Sequence, residues 1–588
     1  MKRSFLKRLF LLLILPASLA LAVEPAIIDQ NARFHPAVSS SGMVVSQDAI
    51  ASEVGADILG QGGNAVDAAV ATGFALAVTL PQAGNIGGGG FMLLYLAEEK
   101  RTLAIDYREM APAAASPTMF LDKHGNVVPD QSRFSHRATG VPGTVAGLLY
   151  TLQAYGSMTP QQVLAPAIAL AEEGFVVGDT LAYSLNQASG RLRADSASSS
   201  YFFRGDGTPL QAGDRWQQTD LARTLKRISE QGMNGFYRGE TAALIVAEMQ
   251  RGGGLISQDD LANYRVMERQ AVTGQYRGYT IAAMPPPSSG GIHLIEMLNV
   301  LEGWDLFSLG HNSAAYLHRL TETMRRAYAD RSKYLGDPDF YQVPVARLVD
   351  KAYAAELREG IDLNKASRSE DISPGLKLQE ESPQTTHFSV WDRWGNVVSN
   401  TYTLNFSYGS GISVAGAGFL LNNEMDDFSA KAGVPNAYGL LGGDANAIEA
   451  GKRPLSSMTP TIVFKGDEPV LATGSPGGST IITVVLQNIL NLIDFKMNIA
   501  EATALPRIHH QWFPDQLEFE AGISPDTLNL LGTMGHKLAP RPRILGKVQA
   551  IAAENGHQFG VTDSRWPGVQ QSRRHRKNEL QSSRSPLK

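Results

Sequence analysis

Two adjacent glycines, Gly477 and Gly478, stand where the sequence changes from an extended pattern to a helical one. A predicted hairpin, Thr461 to Phe464 with Val470 to Thr473, precedes them, and an apolar helix is predicted from about Thr480 to Phe495. Backbone N–H groups at such a point face outward with the positive end of a helix behind them, which is a geometry that stabilises an oxyanion. Taken alone, the pair is more often just a tight strand-to-helix turn.

A second predicted hairpin brings two threonines together. His387 to Trp391 alternates polar and apolar residues, Arg393-Trp394-Gly395 can turn the chain, and Val397 to Asn405 returns. A three-residue loop with glycine in its last place is a favoured hairpin connection. Folding about this loop sets Thr385 opposite Thr403 within about one residue. Facing threonines in a sheet are usually just a polar cross-strand pair, so the pairing gains meaning only in combination with other residues.

Several familiar catalytic patterns are absent from the sequence. The run Gly87 to Gly90 lacks the Lys-Ser/Thr of a phosphate loop and precedes a strand, so we expect close backbone packing there. His509 and His510 are adjacent and would point to opposite faces of a strand, and no HExxH or acidic calcium loop occurs, so we expect no metal site. Gly474-Ser475-Pro476 falls one residue short of a serine-hydrolase elbow. The 588 residues include no cysteine, which excludes a cysteine nucleophile and Cys-ligated zinc.

The elements that must position these residues begin with two helices, which we expect Asp48 and Asn64 to cap. A hairpin follows, with strands from Phe91 to Tyr95 and from Thr102 to Tyr107, and Arg108 lies at its end.

The region from about 145 to 370 is predicted to be helix-rich, with an amphipathic helix behind Asn312 and Ser313 and an irregular loop at Pro285 to Gly291. Residues 365–384 are polar and are the best candidate for an exposed, protease-accessible or self-cleaved segment. After this segment the pattern changes to strands.

Residues 1–22 have the pattern of a secretory signal peptide. A basic start precedes the apolar run Leu9 to Leu15, and Ala20-Leu21-Ala22 forms a small-x-small cleavage site. The apolar run is too short to span a bilayer comfortably, although a retained N-terminal anchor is the alternative. No later stretch of 18 or more apolar residues occurs. The mature protein is therefore expected to be soluble, periplasmic or secreted, with no membrane association after removal of the signal.

The charge is unevenly distributed along the chain. The formal net charge is −5, yet the first ten residues and the tail after Gln571 are basic, so the body between them is strongly acidic. A nucleic-acid binder would instead show a basic folded face, so no nucleic-acid partner is expected. The polar tail 569–588 is predicted to be a disordered appendage.

In combination, these and other motifs closely resemble the gamma-glutamyltranspeptidase family. The matching segments lie in order and with compatible spacing from roughly residue 35 to residue 565. They are Asn85 to Phe91, Asp106 to Pro112, Pro285 to Gly291, Gln384 to Ser389, Thr403 to Asn405, Asn423 to Ser429, Arg453 to Pro460 and Gly474 to Gly478.

The resemblance implies an α+β, N-terminal-nucleophile hydrolase fold, a four-layer αββα sandwich of two stacked antiparallel sheets. It also implies a precursor that cuts itself at Gln384–Thr385 into a large subunit, 23–384, and a small subunit, 385–568. Thr385 would then carry a hydroxyl nucleophile and, as general base, an α-amine whose pKa of about 7.7–8.0 suits neutral pH.

The family's site residues carry over by position, without cofactor or metal. Thr403 matches the residue that assists Thr385, and Gly477 and Gly478 match the oxyanion hole. The remaining matches are Arg108, Ser456 and Ser457 for the donor's α-carboxylate, Asn405, Glu424 and Asp427 for its α-ammonium, and Tyr438 within a lid loop at Ala432 to Gly443.

The implied reaction is acylation of Thr385 by glutathione or another γ-glutamyl amide, followed by transfer to water, an amino acid or a dipeptide. Two alternatives are an amidase of the same fold acting on β-lactam side chains or poly-γ-glutamate, and a periplasmic amino-acid or peptide-binding protein with inherited catalytic residues. The donor-binding charges and the lid favour the first reading over the amidase. The intact Thr385, Thr403, Gly477 and Gly478 speak against the binding protein.

One departure from the family pattern is Asp563-Ser564-Arg565 followed by Trp566-Pro567-Gly568 and the basic tail.

Overall fold

The structure is a computed structural model that describes residues 33–372, 385–431, 442–566 and 572–574. Helices lie mainly in the first two thirds of the chain. In chain order, α1 to α19 are Ala49–Gly60, Ala65–Thr79, Gln131–Phe134, Thr144–Tyr155, Pro160–Glu173, Asp179–Ala194, Ser196–Phe202, Thr219–Gln231, Asn234–Tyr237, Gly239–Gly252, Gln258–Asn263, Gly290–Leu301, Leu306–Leu309, Ala314–Tyr334, Val345–Leu348, Lys351–Glu359, Thr480–Ile493, Ile499–Ala504 and Pro525–Thr533. Short 3-10 helices occur at His136–Ala138, Ser369–Asp371, Glu424–Asp427 and Asp444–Asn446.

The strands form two large sheets and two small ones. In chain order, β1 to β18 are Ala37–Ser39, Gly42–Ser46, Gly89–Leu96, Arg101–Tyr107, Phe175–Val176, Arg215–Trp216, Met267–Arg269, Val272–Tyr276, Tyr279–Ala283, Thr386–Asp392, Val397–Thr403, Thr461–Lys465, Glu468–Thr473, Ile508–His509, Glu518–Phe519, Gln549–Glu554, His557–Thr562 and Ser572–Arg574. The first sheet has the order β18-β2-β10-β11-β3-β4-β7, and the second has the order β1-β17-β16-β13-β12-β9-β8. Every described pair within these two sheets is antiparallel.

Side-chain alternation along the first sheet places it between two apolar layers. In β3, Met92 and Leu94 belong to the core shared with the early helices, whereas Phe91 and Leu93 belong to the core shared with the second sheet. Successive residues of a strand point to opposite faces, so the first sheet is covered by helices on one side and by the second sheet on the other. The second core also contains residues of α12, α14 and α17. The predicted four-layer αββα sandwich is therefore confirmed.

Local capping explains why the helices begin where they do. Asp48 caps α1 through a bond of 3.0 Å from Ala51 N–H, and Asn64 forms a capping box with Asp67 at the start of α2. Ser313 caps α14 in the same way. Each cap satisfies N–H groups that have no partner within the helix. The caps predicted at Asp48 and Asn64 are confirmed, and of the two residues predicted to precede α14, Asn312 and Ser313, the cap is Ser313.

The predicted packing role of the Gly87 to Gly90 run is also confirmed. A Cβ on Gly88 would lie 2.0 Å from Thr403 O, and a Cβ on Gly90 would lie 2.6 Å from Thr401 O. Both distances are far shorter than van der Waals contact. Only glycine therefore allows β3 and the residue before it to lie this close to β11.

Three parts of the structure depart from the sequence predictions. The helix-rich region also contains β7, β8 and β9, which complete edges of both large sheets. The loop predicted from Pro285 to Gly291 ends earlier, because Gly290 and Gly291 form the first turn of α12. Within the tail predicted to be disordered, β18 pairs with β2. Residues 1–22, Gln384, Tyr438 and most of the predicted lid lie outside the described residues.

Candidate active site

The two threonines lie at the open end of the β10–β11 hairpin. Thr386 pairs with Tyr402, and the same register sets Thr385 opposite Thr403, the last residue of β11. The Oγ1 atoms of Thr385 and Thr403 are 3.4 Å apart, and both residues are buried. The register predicted from the three-residue turn is therefore confirmed.

The backbone around Thr403 orients its hydroxyl. Asn405 N–H donates to Thr403 Oγ1 at 2.9 Å, so this oxygen is an acceptor on one side and can donate its proton on another. Asn405 itself has a φ of +73°, a left-handed conformation that asparagine tolerates better than most residues. Its Nδ2 donates to Asn423 O at 2.9 Å, which ties the end of β11 to the segment that carries Glu424 and Asp427.

Gly477 and Gly478 occupy the turn between β13 and α17, as predicted. Their φ values are +144° and +56°, and a Cβ on Gly477 would lie 2.4 Å from Thr480 Oγ1. The N-terminal end of α17 begins two residues later, at Thr480. This arrangement places the glycine pair at the positive end of a helix.

One cavity joins these elements. Its described lining residues are Arg108, Arg331, Thr385, Thr403, Asn405, Glu424, Asp427, Ser456, Ser457, Met458, Gly478, Ser479 and Ile481. Nine of the residues singled out in the sequence are among them. Gly477 is joined to the cavity wall only through its peptide bond with Gly478. No histidine, lysine or cysteine occurs in this lining set.

Arg108 is enclosed by acidic side chains. Its Nη1 donates to Glu424 Oε1, its Nη2 donates to Asp427 Oδ2, and its Nε donates to Pro454 O at 3.3 Å. The carboxylate of Glu109 lies 3.5 Å from Arg108 Nη1. Arg108, Glu109 and Glu424 are at most 1% exposed.

Burial decides the protonation of this acidic cluster. It raises the pKa of Glu109 to about 7, although Arg108 opposes the shift. It also raises the pKa of Glu424 well above its usual range, again against the effect of Arg108. Burial alone would lower the pKa of Arg108, but Glu424 and Asp427 raise it above its ordinary value. One guanidinium therefore faces more carboxyl groups than it can neutralise, and the cluster holds a proton near pH 7.

The two serines also line the cavity, in a segment that follows Pro454. Ser456 Oγ accepts from Met458 N–H at 3.1 Å, and Ser457 Oγ accepts from Arg331 Nη2 at 3.1 Å. A hydroxyl whose oxygen already accepts a hydrogen bond keeps its proton for another acceptor. Both serines can therefore donate to an anion in the cavity.

Sequence reasoning missed four lining residues, Arg331, Met458, Ser479 and Ile481. Ser479 and Ile481 follow the glycine pair closely, and Met458 follows the two serines, so proximity in sequence could have indicated them. Arg331 had no such signal, because it lies on α14 and reaches the cavity only through the tertiary fold. In the part of the chain that the structure describes, no group of three or more His, Asp or Glu residues could hold a metal ion.

The chain is similar to known proteins over most of its length. A sequence profile described as gamma-glutamyltranspeptidase matches residues 51–572. The glutathione hydrolase proenzyme of Escherichia coli K12 is 50% identical over 572 residues, which cover 96% of this chain and 98% of that protein.

Two solved structures are similar as well. The gamma-glutamyltranspeptidase of Helicobacter pylori is 46% identical with a TM-score of 0.56, and the match covers 60% of this chain and 99% of that one. A cephalosporin acylase from Bacillus halodurans is 28% identical with a TM-score of 0.80, and it covers 92% of this chain and 98% of that one. Profile, sequence and structure thus agree over most of the chain, which belongs to the gamma-glutamyltranspeptidase family.

Proposed function

We propose that this protein is a γ-glutamyl acyltransferase and hydrolase that uses Thr385 as its nucleophile. The observation that carries the proposal is the shared cavity: Thr385 lines the same space as Arg108, Glu424 and Asp427. A γ-glutamyl donor carries an α-carboxylate and an α-ammonium, so it needs fixed groups of both signs near the nucleophile.

The first step of the proposed mechanism is self-cleavage between Gln384 and Thr385. The Thr385 hydroxyl attacks the Gln384 carbonyl, a C–O bond forms, and the C–N bond of the peptide breaks. Water then hydrolyses the ester, which leaves a carboxylate on Gln384 and a free α-amine and hydroxyl on Thr385. That amine becomes the general base for later cycles.

The described contacts support a product whose two subunits stay together. In the first sheet, β10 and β11 of the small subunit lie between β2 and β3 of the large subunit. Trp512 Nε1 donates to the carbonyl oxygens of Ser369 and Ile372, each at 2.9 Å. The chain before the cleavage site is thereby held against the small subunit.

In the catalytic cycle, Thr385 Oγ1 attacks the γ-carbonyl of the donor. The α-amine takes the hydroxyl proton and passes it to the departing amine, while N–H groups at Gly477 and Gly478 stabilise the oxyanion. Removing one such donor typically costs about 10²–10³-fold in rate. Thr403 donates to Thr385 Oγ1 and holds it in place. Water or the amino group of an amino acid or peptide then attacks the acyl-enzyme and restores Thr385.

Substrate binding divides between the two sides of the cavity. Ser456, Ser457 and Arg108 bind the α-carboxylate, and the planar fork of arginine suits such a group. Asn405, Glu424 and Asp427 bind the α-ammonium, and Tyr438 belongs to a loop that covers the bound donor. Glutathione is the expected physiological donor, because it is an abundant γ-glutamyl amide. The signal sequence at 1–22 supports export to the periplasm or medium, and among the described residues no helix is long and apolar enough to cross a membrane.

The test compares two chromogenic substrates of the purified protein. L-γ-Glutamyl-4-nitroanilide carries both charged α-groups, whereas glutaryl-4-nitroanilide lacks the ammonium. We expect the first to be cleaved with a kcat/KM at least about tenfold higher, since one charge-assisted hydrogen bond is worth about 1.5–3 kcal/mol. A dipeptide acceptor should yield a γ-glutamyl dipeptide. A preference for the glutaryl compound would identify an acylase instead, and no turnover by a self-cleaved chain would refute the proposal.

A further inference from the structure

A second guanidinium, that of Arg331, reaches the cavity from α14. Arg331 is 5% exposed. Its Nε donates to Ser289 Oγ at 2.9 Å, and its Nη2 donates to Ser457 Oγ at 3.1 Å. The side chain therefore bridges the loop before α12 and one of the two serines on the cavity wall.

That loop is built to hold the bridge in place. Ser289 N–H and Ser289 Oγ both donate to Ser456 O at 2.8 Å, and Ser456 N–H donates to Pro287 O at 2.9 Å. Ser288 Oγ donates to Met458 O at 2.6 Å. A Cβ on Gly290 would lie 2.2 Å from Thr459 Oγ1. The Pro285 to Gly291 motif thus packs directly under the Ser456-Ser457 segment and leaves it little freedom.

The other arginine in the cavity wall, Arg108, is surrounded by carboxyl groups. Arg108 is already engaged by Glu424 and Asp427, with Glu109 beside it. With three carboxyl groups around it, Arg108 presents little net positive charge to an incoming anion. The guanidinium of Arg331 contacts Ser457 Oγ on the cavity wall, so its charge acts on that wall through the serine hydroxyl.

In the hydrogen bond between Arg331 and Ser457, the arginine is the donor. Because Ser457 Oγ accepts from Arg331 Nη2, the serine proton is directed to another acceptor. A donor's α-carboxylate in the cavity is such an acceptor, and a hydroxyl polarised by a cation is a stronger donor to it.

We propose that Arg331 is a specificity-determining positioning residue, which acts through Ser457 to select acyl donors that carry an α-carboxylate. This inference rests on the proposed γ-glutamyl activity and adds to it a residue outside the Arg108 and serine set. Arg331 does not touch the reacting carbonyl in this account. Its loss should therefore weaken donor binding and leave the chemical step nearly intact.

The experiment uses the self-cleaved full-length protein and its Arg331→Met and Arg331→Lys variants. Substrates are L-γ-glutamyl-4-nitroanilide and 4-aminobutanoyl-4-nitroanilide, which is the same molecule without the α-carboxylate. We expect Arg331→Met to raise KM for the γ-glutamyl substrate about 10- to 100-fold with kcat changed less than about threefold. The kcat/KM for the 4-aminobutanoyl substrate should stay within about twofold. Arg331→Lys, which keeps the charge, should recover part of the loss.

Two further variants separate the inference from simpler explanations. Lys333→Met removes one positive charge from an exposed position two residues further along α14 and should leave KM unchanged. Ser457→Ala combined with Arg331→Met should cost little more than Ser457→Ala alone, because the two residues act as one unit.

Equal losses on both substrates, an unchanged KM, or additive effects of the two changes would each overturn the inference. A wild-type protein that cleaves neither substrate would instead refute the proposed function itself. Should Arg331→Met fail to self-cleave, Ser289→Ala removes the Nε anchor, together with the bond from Ser289 Oγ to Ser456 O, and is expected to raise KM for the γ-glutamyl substrate about threefold or more. An unchanged KM in that variant would overturn the inference as well.

Discussion

The carbonyl oxygen of Thr403 lies only 2.0 Å from where a Cβ on Gly88 would stand. Gly88 N–H donates to Asn85 Oδ1 at 2.9 Å, and Asn85 Nδ2 donates to Thr403 O at 3.0 Å, so Asn85 links the two segments. The four-glycine run thus determines how closely the end of β11 can approach β3. It thereby helps to position the β10–β11 hairpin, which carries Thr403 opposite Thr385.

Gly88→Ala should displace Thr403 and impair self-cleavage. Overpacking of a tight site costs about 1–3 kcal/mol, and the displaced hydroxyl would no longer face Thr385 at the present distance. We expect the cut fraction after purification to fall several-fold, measured by gel densitometry. Gly190→Ala in α6 is the control, because a Cβ there meets nothing within 4 Å. Full processing of Gly88→Ala at the wild-type rate would contradict this role.

Removal of the Thr403 hydroxyl should slow both self-cleavage and turnover. Thr403→Val keeps the shape of the side chain but loses the bond to Thr385 Oγ1, and general acid–base or positioning assistance of this kind contributes about 10²–10⁴-fold at most. We expect kcat to fall at least about tenfold. Thr403→Ser retains the hydroxyl and should stay within about threefold of wild type. Similar activity in the valine and serine variants would show that the hydroxyl is not used.

Gly478→Ala should reduce turnover by about 10²–10³-fold through loss of the oxyanion geometry. The left-handed φ of +56° disfavours alanine, so the turn must shift and carry its N–H group with it. Gly466→Ala is a control matched for this strain, since Gly466 has a φ of +62° in the surface turn of the β12–β13 hairpin and open space around it. If both variants lost the same activity, the effect would be one of stability.

Donor binding should strengthen as pH rises towards neutrality. Burial holds the pKa of Glu109 at about 7 and raises that of Glu424, so the acidic cluster is more protonated, and less attractive to an α-ammonium, at lower pH. Binding of the cation favours the ionised carboxylates and releases a proton. KM for L-γ-glutamyl-4-nitroanilide should therefore fall about tenfold from pH 6 to pH 8.

Two comparisons isolate the acidic cluster as the cause of this pH dependence. Glu109→Gln removes one titrating group and should flatten the profile of KM against pH. The glutaryl analogue has no ammonium, so its KM should not fall over the same range. A falling KM for the glutaryl compound, or an unchanged profile in Glu109→Gln, would assign the dependence to another group.

The parts of the fold set by local chemistry could be predicted from the sequence. Asp48, Asn64 and Ser313 are capping residues with their helices directly behind them, and the three-residue turn at Arg393 to Gly395 fixes the register that pairs Thr385 with Thr403. These inferences need only neighbouring residues. The strand-to-helix turn at Gly477 and Gly478 was predictable for the same reason.

Other parts depend on contacts that no local pattern encodes. In the five-residue strand β8 only the two ends, Val272 and Tyr276, are buried, and a glycine lies between them. Such a short and irregular pattern cannot be distinguished from a loop in the sequence. Arg331 becomes a cavity residue only because α14 packs beside the segments of Ser289 and Ser457. Similarly, β18 forms a strand because the edge of β2 is available to it, although its sequence is polar and basic.

The most direct test of the account is the intact mass of the purified protein beside that of Thr385→Ala. The account predicts two wild-type fragments whose masses sum to the chain plus one water, with a new N-terminus at Thr385, and a single uncut chain for the variant. An uncut wild-type chain, or a variant that is still cut at the same bond, would contradict the assignment of Thr385 as the nucleophile.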